Sequence, residues 1–205
     1  MKVRIISENK KYIKDDCINV IPFGKIEVVD FRKQINGSGK ELLELGRLSE
    51  RLGGITLVCA ASYNCGIKKK SVFIFEGAKL VTICDMNEYQ EKYTSSFGYK
   101  SIELKGKKIG VLVDKDIYSV SAVNALVLNG NCAIINLYAG LLPQKTVVGA
   151  EFYSYIHGID FLCAGKDFAV AFNFKGERTE IIDGEVNFTF EGVYKEVRRK
   201  IRGNV

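Results

Sequence analysis

Between Lys107 and Gly165, apolar runs of strand length alternate with longer segments of helical period, and this alternation narrows the possible folds more than any other feature of the chain. KKIGVLV reads as a buried-type strand, Tyr118 to Asn129 as a helix stopped by Gly130, and CAIINLY as a strand. Thr146 to His157 reads as a helix stopped by Gly158, and IDFLCAG as a further strand. Strand, helix, strand, helix, strand predicts consecutive βαβ units, and therefore a parallel sheet with helices laid on it.

The flanks extend this α/β pattern. Near the amino terminus KVRIIS, INVIPF and KIEVVDF are three short strand-like runs. Ser38 with Glu41 has the spacing of a capping box, Leu42, Leu45, Leu48 and Leu52 follow at helical spacing, and Gly53-Gly54 supplies the stop. ITLVCAAS is then a strand, and SVFIFE and KLVTIC form a hairpin about Gly77. After the βαβ units come antiparallel strands in FAVAFNFKGERTEIID and EVNFTFEG, with turns at Lys175-Gly176 and Asp183-Gly184, and a basic helix from Val193 to Ile201. No repeat, low-complexity tract or linker interrupts the 205 residues, so one domain spanning 1–205 is expected.

Composition removes several chemistries. The single histidine, His157, excludes any site built on two imidazoles, and its place at a helix end reads as structural. Six cysteines without a C-x-x-C pair, most of them inside apolar runs, fit free thiols in a reducing cytoplasm better than a disulfide framework. The chain turns polar six residues in, and its longest apolar stretch carries Asn129, Asn131 and Asn136, so neither a signal peptide nor a membrane span is expected. INGSGKELL fails as a phosphate-binding loop, because Gln34 stands where its first glycine belongs and Glu41 follows Lys40. The net charge of +6 is modest, so Lys195, Arg198, Arg199 and Arg202 read as a solvated basic face, and Lys68 to Lys70 as a guarded hairpin edge.

From Gly54 onward the ordered motifs resemble the carbon-nitrogen hydrolase family, the nitrilase and amidase group. IGVLVDKD is similar to that family's G-V-x-I-C-x-D strand, AEFYSYIHGIDFLCAG to its later helix and strand, and the ending to its glycine-turned hairpin and helix. The resemblance implies a four-layer α-β-β-α sandwich, self-association as a homodimer or larger homo-oligomer, and a Glu-Lys-Cys trio without metal or cofactor. In such a trio the carboxylate takes the thiol proton, the thiolate attacks carbon and the ammonium stabilises the oxyanion. Laid on the family pattern, Asp114 takes the place of the cysteine and Asp116 that of the later acid. Eight residues beyond Gly77, Asp85 falls at the lysine position, and Asp30 is the nearest match for the glutamate.

A carboxylate at the nucleophile position cannot form a thioester, so the resemblance implies a pseudoenzyme acting as a small-ligand-binding or protein-interaction module. With no cation between them, Asp85 and Asp114 would converge in an acidic pocket that accepts an amine, an amide-like ligand or a divalent ion. Two rival readings are an active amidase using Cys84, whose TICD looks like a shortened I-C-x-D, and a nucleic-acid-associated protein using the terminal arginines.

Overall fold

Strands buried along their whole length, such as INVI, AIINL, DFLCA and AVAF, build two sheets that face each other and carry helices on their outer sides. The computed structural model describes residues 2–6, 14–22, 26–87, 98–104, 106–166, 168–181 and 185–186. The first sheet contains β1 (Val3–Ile5), β2 (Ile18–Ile21), β3 (Val28–Asp30), β4 (Ile55–Asn64), β5 (Ile67–Glu76), β6 (Lys79–Asp85) and β13 (Glu185–Val186). Its order is β13-β1-β2-β4-β5-β6, and β3 also pairs with β4. The second contains β7 (Lys100–Leu104), β8 (Lys107–Val113), β9 (Ala133–Leu137), β10 (Asp160–Ala164), β11 (Ala169–Phe172) and β12 (Arg178–Ile181), in the order β12-β11-β10-β9-β8-β7.

The predicted βαβ units are present. Strands β8, β9 and β10 are parallel neighbours, joined through α3 (Val120–Leu128) and α4 (Gln144–His157). Ser119 caps α3 by accepting from the Ala122 N–H, and Gly158 ends α4 in the left-handed conformation that glycine adopts without steric cost. On the first sheet, α1 (Phe31–Ile35) and α2 (Glu41–Leu52) lie between β3 and β4.

Three apolar clusters define the layers. One lies between the sheets and takes Val20, Leu57, Val72 and Ile74 from the first and Ile109, Val111 and Ile135 from the second. A second packs Val123, Leu126 and Val147 of the helices against Leu112, Phe161 and Phe172. The third packs Leu45 and Leu52 of α2 against Val58, Phe73 and Phe75. Helix, sheet, sheet, helix is the expected four-layer α-β-β-α sandwich.

Several local expectations are corrected. The Ser38–Glu41 capping box does not form: Lys40 occupies the cap position, Ser38 donates to the Lys33 carbonyl, and Glu41 accepts from Gln34. Strand β7 forms where the sequence assigned no element, because β8 supplies a long antiparallel partner. Lys68 to Lys70 pair with Tyr63, Ser62 and Ala61 of β4 on one side and extend beyond the β6 register, which begins at Ser71, on the other. Strand β13 pairs with β1, joining the end of the described chain to the first sheet. The basic helix predicted from Val193 to Ile201 and the turn at Asp183-Gly184 lie outside the described residues. Among the described residues no helix is long and apolar enough to cross a membrane.

Candidate functional site

The parallel strands β2 and β4 of one sheet and β8 and β9 of the other direct their chains toward a shared region, the kind of crevice in which α/β sheets place ligands. Immediately after β8 the chain turns into a short 3-10 segment, Asp114–Tyr118. Asp114 makes that turn with a φ of 55°, in the left-handed region that costs a side-chain-bearing residue about 1–2 kcal/mol and that aspartate tolerates better than most. A sharp strand-to-helix turn of this kind displays the nucleophile in α/β-hydrolases. Here it displays a carboxylate.

Asp116 and Asn136 hold the turn in place. Asp116 is buried and accepts from the Asn87 N–H at 2.8 Å and from the Val113 N–H at 3.4 Å. The Asn136 amide donates to the Asp114 carbonyl at 3.4 Å. Asp116, predicted as a site residue, is therefore a clamp that ties the elbow to the segment following β6.

The Asp114 carboxylate is fully buried and forms an ion pair with Lys70, whose side chain is 13% exposed. Lys70 reaches it because side chains alternate across β5: Val72 and Ile74 face the space between the sheets, so Lys70 and Lys68 face it too, whereas Lys69 and Ser71 face the helix side with Phe73. The Lys70 ammonium also stands 6.0 Å from the centroid of the Tyr138 ring. Burial, then the charge of Asp114, holds the Tyr138 phenol well above its ordinary range. Tyr118 lies alongside and shares a 2.7 Å hydrogen bond with Thr146.

Next to this pair is a cavity of about 200 Å3. Its polar lining comes from Lys68, Lys70, Glu27 and Cys59, and its apolar wall from small side chains such as Ala60, Ala61 and Ala139. Burial, then the charge of Asp114, pushes the Cys59 thiol up to about 12, against the pull of Lys70.

The structure separates residues that the sequence reading brought together. Asp85 lies on the opposite face of the first sheet from Lys70, because its neighbour Cys84 belongs to the core between the sheets. Asp85 accepts from Ser71 at 2.7 Å and pairs with Lys69 at 3.2 Å, and Ser71 in turn contacts Ser62 at 2.8 Å. The expected cation-free acidic pair is therefore absent: each carboxylate has its own lysine, on its own face. Asp30 caps α1 by accepting from the N–H groups of Arg32 and Lys33 at 3.0 and 3.3 Å. Cys84 is buried between the sheets, and burial pushes its thiol up to about 12. Among the described residues no three His, Cys, Asp or Glu side chains gather to hold a metal ion.

Lys70, Cys59, Glu27 and Tyr138 were not singled out as site residues from the sequence. The signal for Lys70 was available in KKKSVFIF, where a cation falls in the same alternating series as Val72 and Ile74.

No family model matches the sequence, and neither does any curated protein. Solved structures do match in fold. The chain superposes on a mutant amidase from Nesterenkonia sp. AN1, of the nitrilase superfamily, with a TM-score of 0.71 at 10% identity, covering 100% of this chain and 96% of that one. That amidase carries the acetamide moiety of fluoroacetamide covalently at its active-site cysteine. A carbon-nitrogen hydrolase from Helicobacter pylori G27 gives a TM-score of 0.71 at 11% identity, covering 98% and 93%. Glutamine-dependent NAD+ synthetase from Acinetobacter baumannii gives 0.62 at 12% identity over 77% of this chain, which spans only 33% of that enzyme's length. The two facing sheets, their outer helices and these superpositions together give the chain the fold of the nitrilase superfamily.

Proposed function

We propose that this protein is a nitrilase-fold pseudoenzyme that binds a small ligand in the cavity beside Lys70 and does not hydrolyse C–N bonds. One observation carries the reading: the side chain at the strand-to-helix elbow after β8 is a fully buried aspartate already paired with an ammonium. Attack by a carboxylate on an amide would give an anhydride, a more reactive acyl group than the one consumed, whereas a thiolate gives a thioester that water can discharge.

The amidase rival requires Cys84 to ionise, and burial in the core between the sheets opposes that. Lys70 is paired with Asp114, and Lys68 and Glu27 stand together in the lining, so the cavity is a mixed-charge site whose ammonium groups can donate to a ligand oxygen rather than a cation-free acidic pocket. Self-association is supported by α4, where Val148, Phe152, Tyr155 and Ile156 form an exposed apolar stripe opposite the buried Val147 and Ala150.

Ammonia release from short amides and nitriles, measured for the wild-type protein, is the test. No turnover above the uncatalysed rate is expected; saturable release lost on changing Cys84 to Ala would establish the rival.

A further inference from the structure

We propose that Lys70 captures a small oxo acid as a protonated imine, with Asp114 as proton acceptor and then as counter-ion. The inference rests on the cavity beside Lys70 being the ligand site, and it names the ligand's chemistry. Lys70 is a largely buried lysine in the wall of a cavity of about 200 Å3. A lysine in an apolar pocket or beside a second cation is the usual arrangement for carbonyl capture. Lys68 provides that second cation, because residues two apart on β5 face the same side, and Glu27 shares the lining with it. It also offers an anchor for a carboxylate attached to the carbonyl, which selects oxo acids over simple aldehydes.

The Asp114 pair is compatible with this chemistry. Asp114 takes one proton from the Lys70 ammonium, and the amine lone pair attacks the carbonyl carbon. A proton passes from nitrogen to oxygen, giving a neutral carbinolamine. The Asp114 carboxyl returns its proton to the hydroxyl group, which leaves as water while the nitrogen lone pair forms the C=N bond. The product is a protonated imine beside a restored carboxylate, so the buried site begins and ends with one positive and one negative charge. No oxidant, reductant or metal is required. This conservation of charge gives a fully buried carboxylate a function that a solvated surface pair would not need.

The test uses intact wild-type protein with pyruvate or glyoxylate, with and without sodium borohydride, followed by peptide mass spectrometry. Pyruvate alone should raise the thermal midpoint, and borohydride should fix an adduct on Lys70. Lys70→Arg, which keeps the ion pair with Asp114, should abolish the adduct at an unchanged melting temperature. Lys69→Ala, on the opposite face, should leave it intact. Stabilisation by pyruvate without a Lys70 adduct would overturn the covalent capture and leave the ligand site standing. Neither stabilisation nor adduct would overturn both, and adducts spread evenly over the surface lysines would also overturn the capture.

Discussion

At the scale of single residues the site rests on one buried ion pair. Removing either partner leaves the other charge without compensation, which costs about 3–5 kcal/mol in comparable buried pairs. Asp114→Ala should therefore destabilise the fold strongly in urea unfolding, and adding Lys70→Met to it should restore much of the loss. An equal or greater loss in the double variant would mean that the two groups are not coupled. Asp116 acts differently, through backbone rather than charge. Asp116→Ala strips acceptors from the Asn87 and Val113 N–H groups and should cost about 1–3 kcal/mol, with faster hydrogen exchange at those two amides.

At the scale of elements, close backbone approaches fix where the helices sit. A Cβ added to Gly46 of α2 would stand 2.6 Å from the Ala78 carbonyl oxygen in the β5–β6 turn. Gly46→Ala should thus lower stability by about 1–3 kcal/mol despite the better helix propensity of alanine, as thermal unfolding would show. The elements themselves were largely legible in the sequence. Periods of two and 3.6 separated strands from helices, and the βαβ series fixed the second sheet. The capping box, β7 and the placement of Asp85 were not legible, each for a physical reason. Gln34 competes for Glu41, β7 gains its conformation from β8, and a one-residue step along β6 moves a side chain to the other face of the sheet. Of the site, Asp114 was found because the segment IGVLVDKD resembles the G-V-x-I-C-x-D strand of the carbon-nitrogen hydrolases. Lys70 was missed because three adjacent lysines look alike until their strand assigns them to opposite faces.

At the scale of the molecule, burial of thiols links stability to pH. The unfolded chain releases its cysteine protons near pH 9, while folded Cys59 and Cys84 keep theirs to about 12. Across that window the folded state binds more protons than the unfolded state, so their contribution is complete below about pH 9 and is lost as pH rises toward 12. The melting temperature should fall on going from neutral pH to about pH 10, less steeply for the Cys59→Ala/Cys84→Ala variant than for wild type. The outward stripe of α4, with Phe152 57% and Tyr155 70% exposed, should be covered by a second copy of the chain. Sedimentation velocity should show a dimer or larger species that Phe152→Glu shifts toward monomer, whereas a wild-type monomer at high concentration would contradict this.

The most direct test places a thiol at the elbow and asks whether the waiting ammonium activates it. Asp114→Cys and wild-type proteins would be treated, folded and at neutral pH, with iodoacetamide, and each cysteine's modification followed by peptide mass spectrometry. Alkylation at position 114 is expected to be faster than at Cys59 or Cys84, because Lys70 would hold the new sulfur as thiolate while burial keeps the two native thiols protonated up to about 12. Slow reaction at position 114, or rapid reaction of wild-type Cys59 or Cys84, would contradict the placement of a lost nucleophile at Asp114.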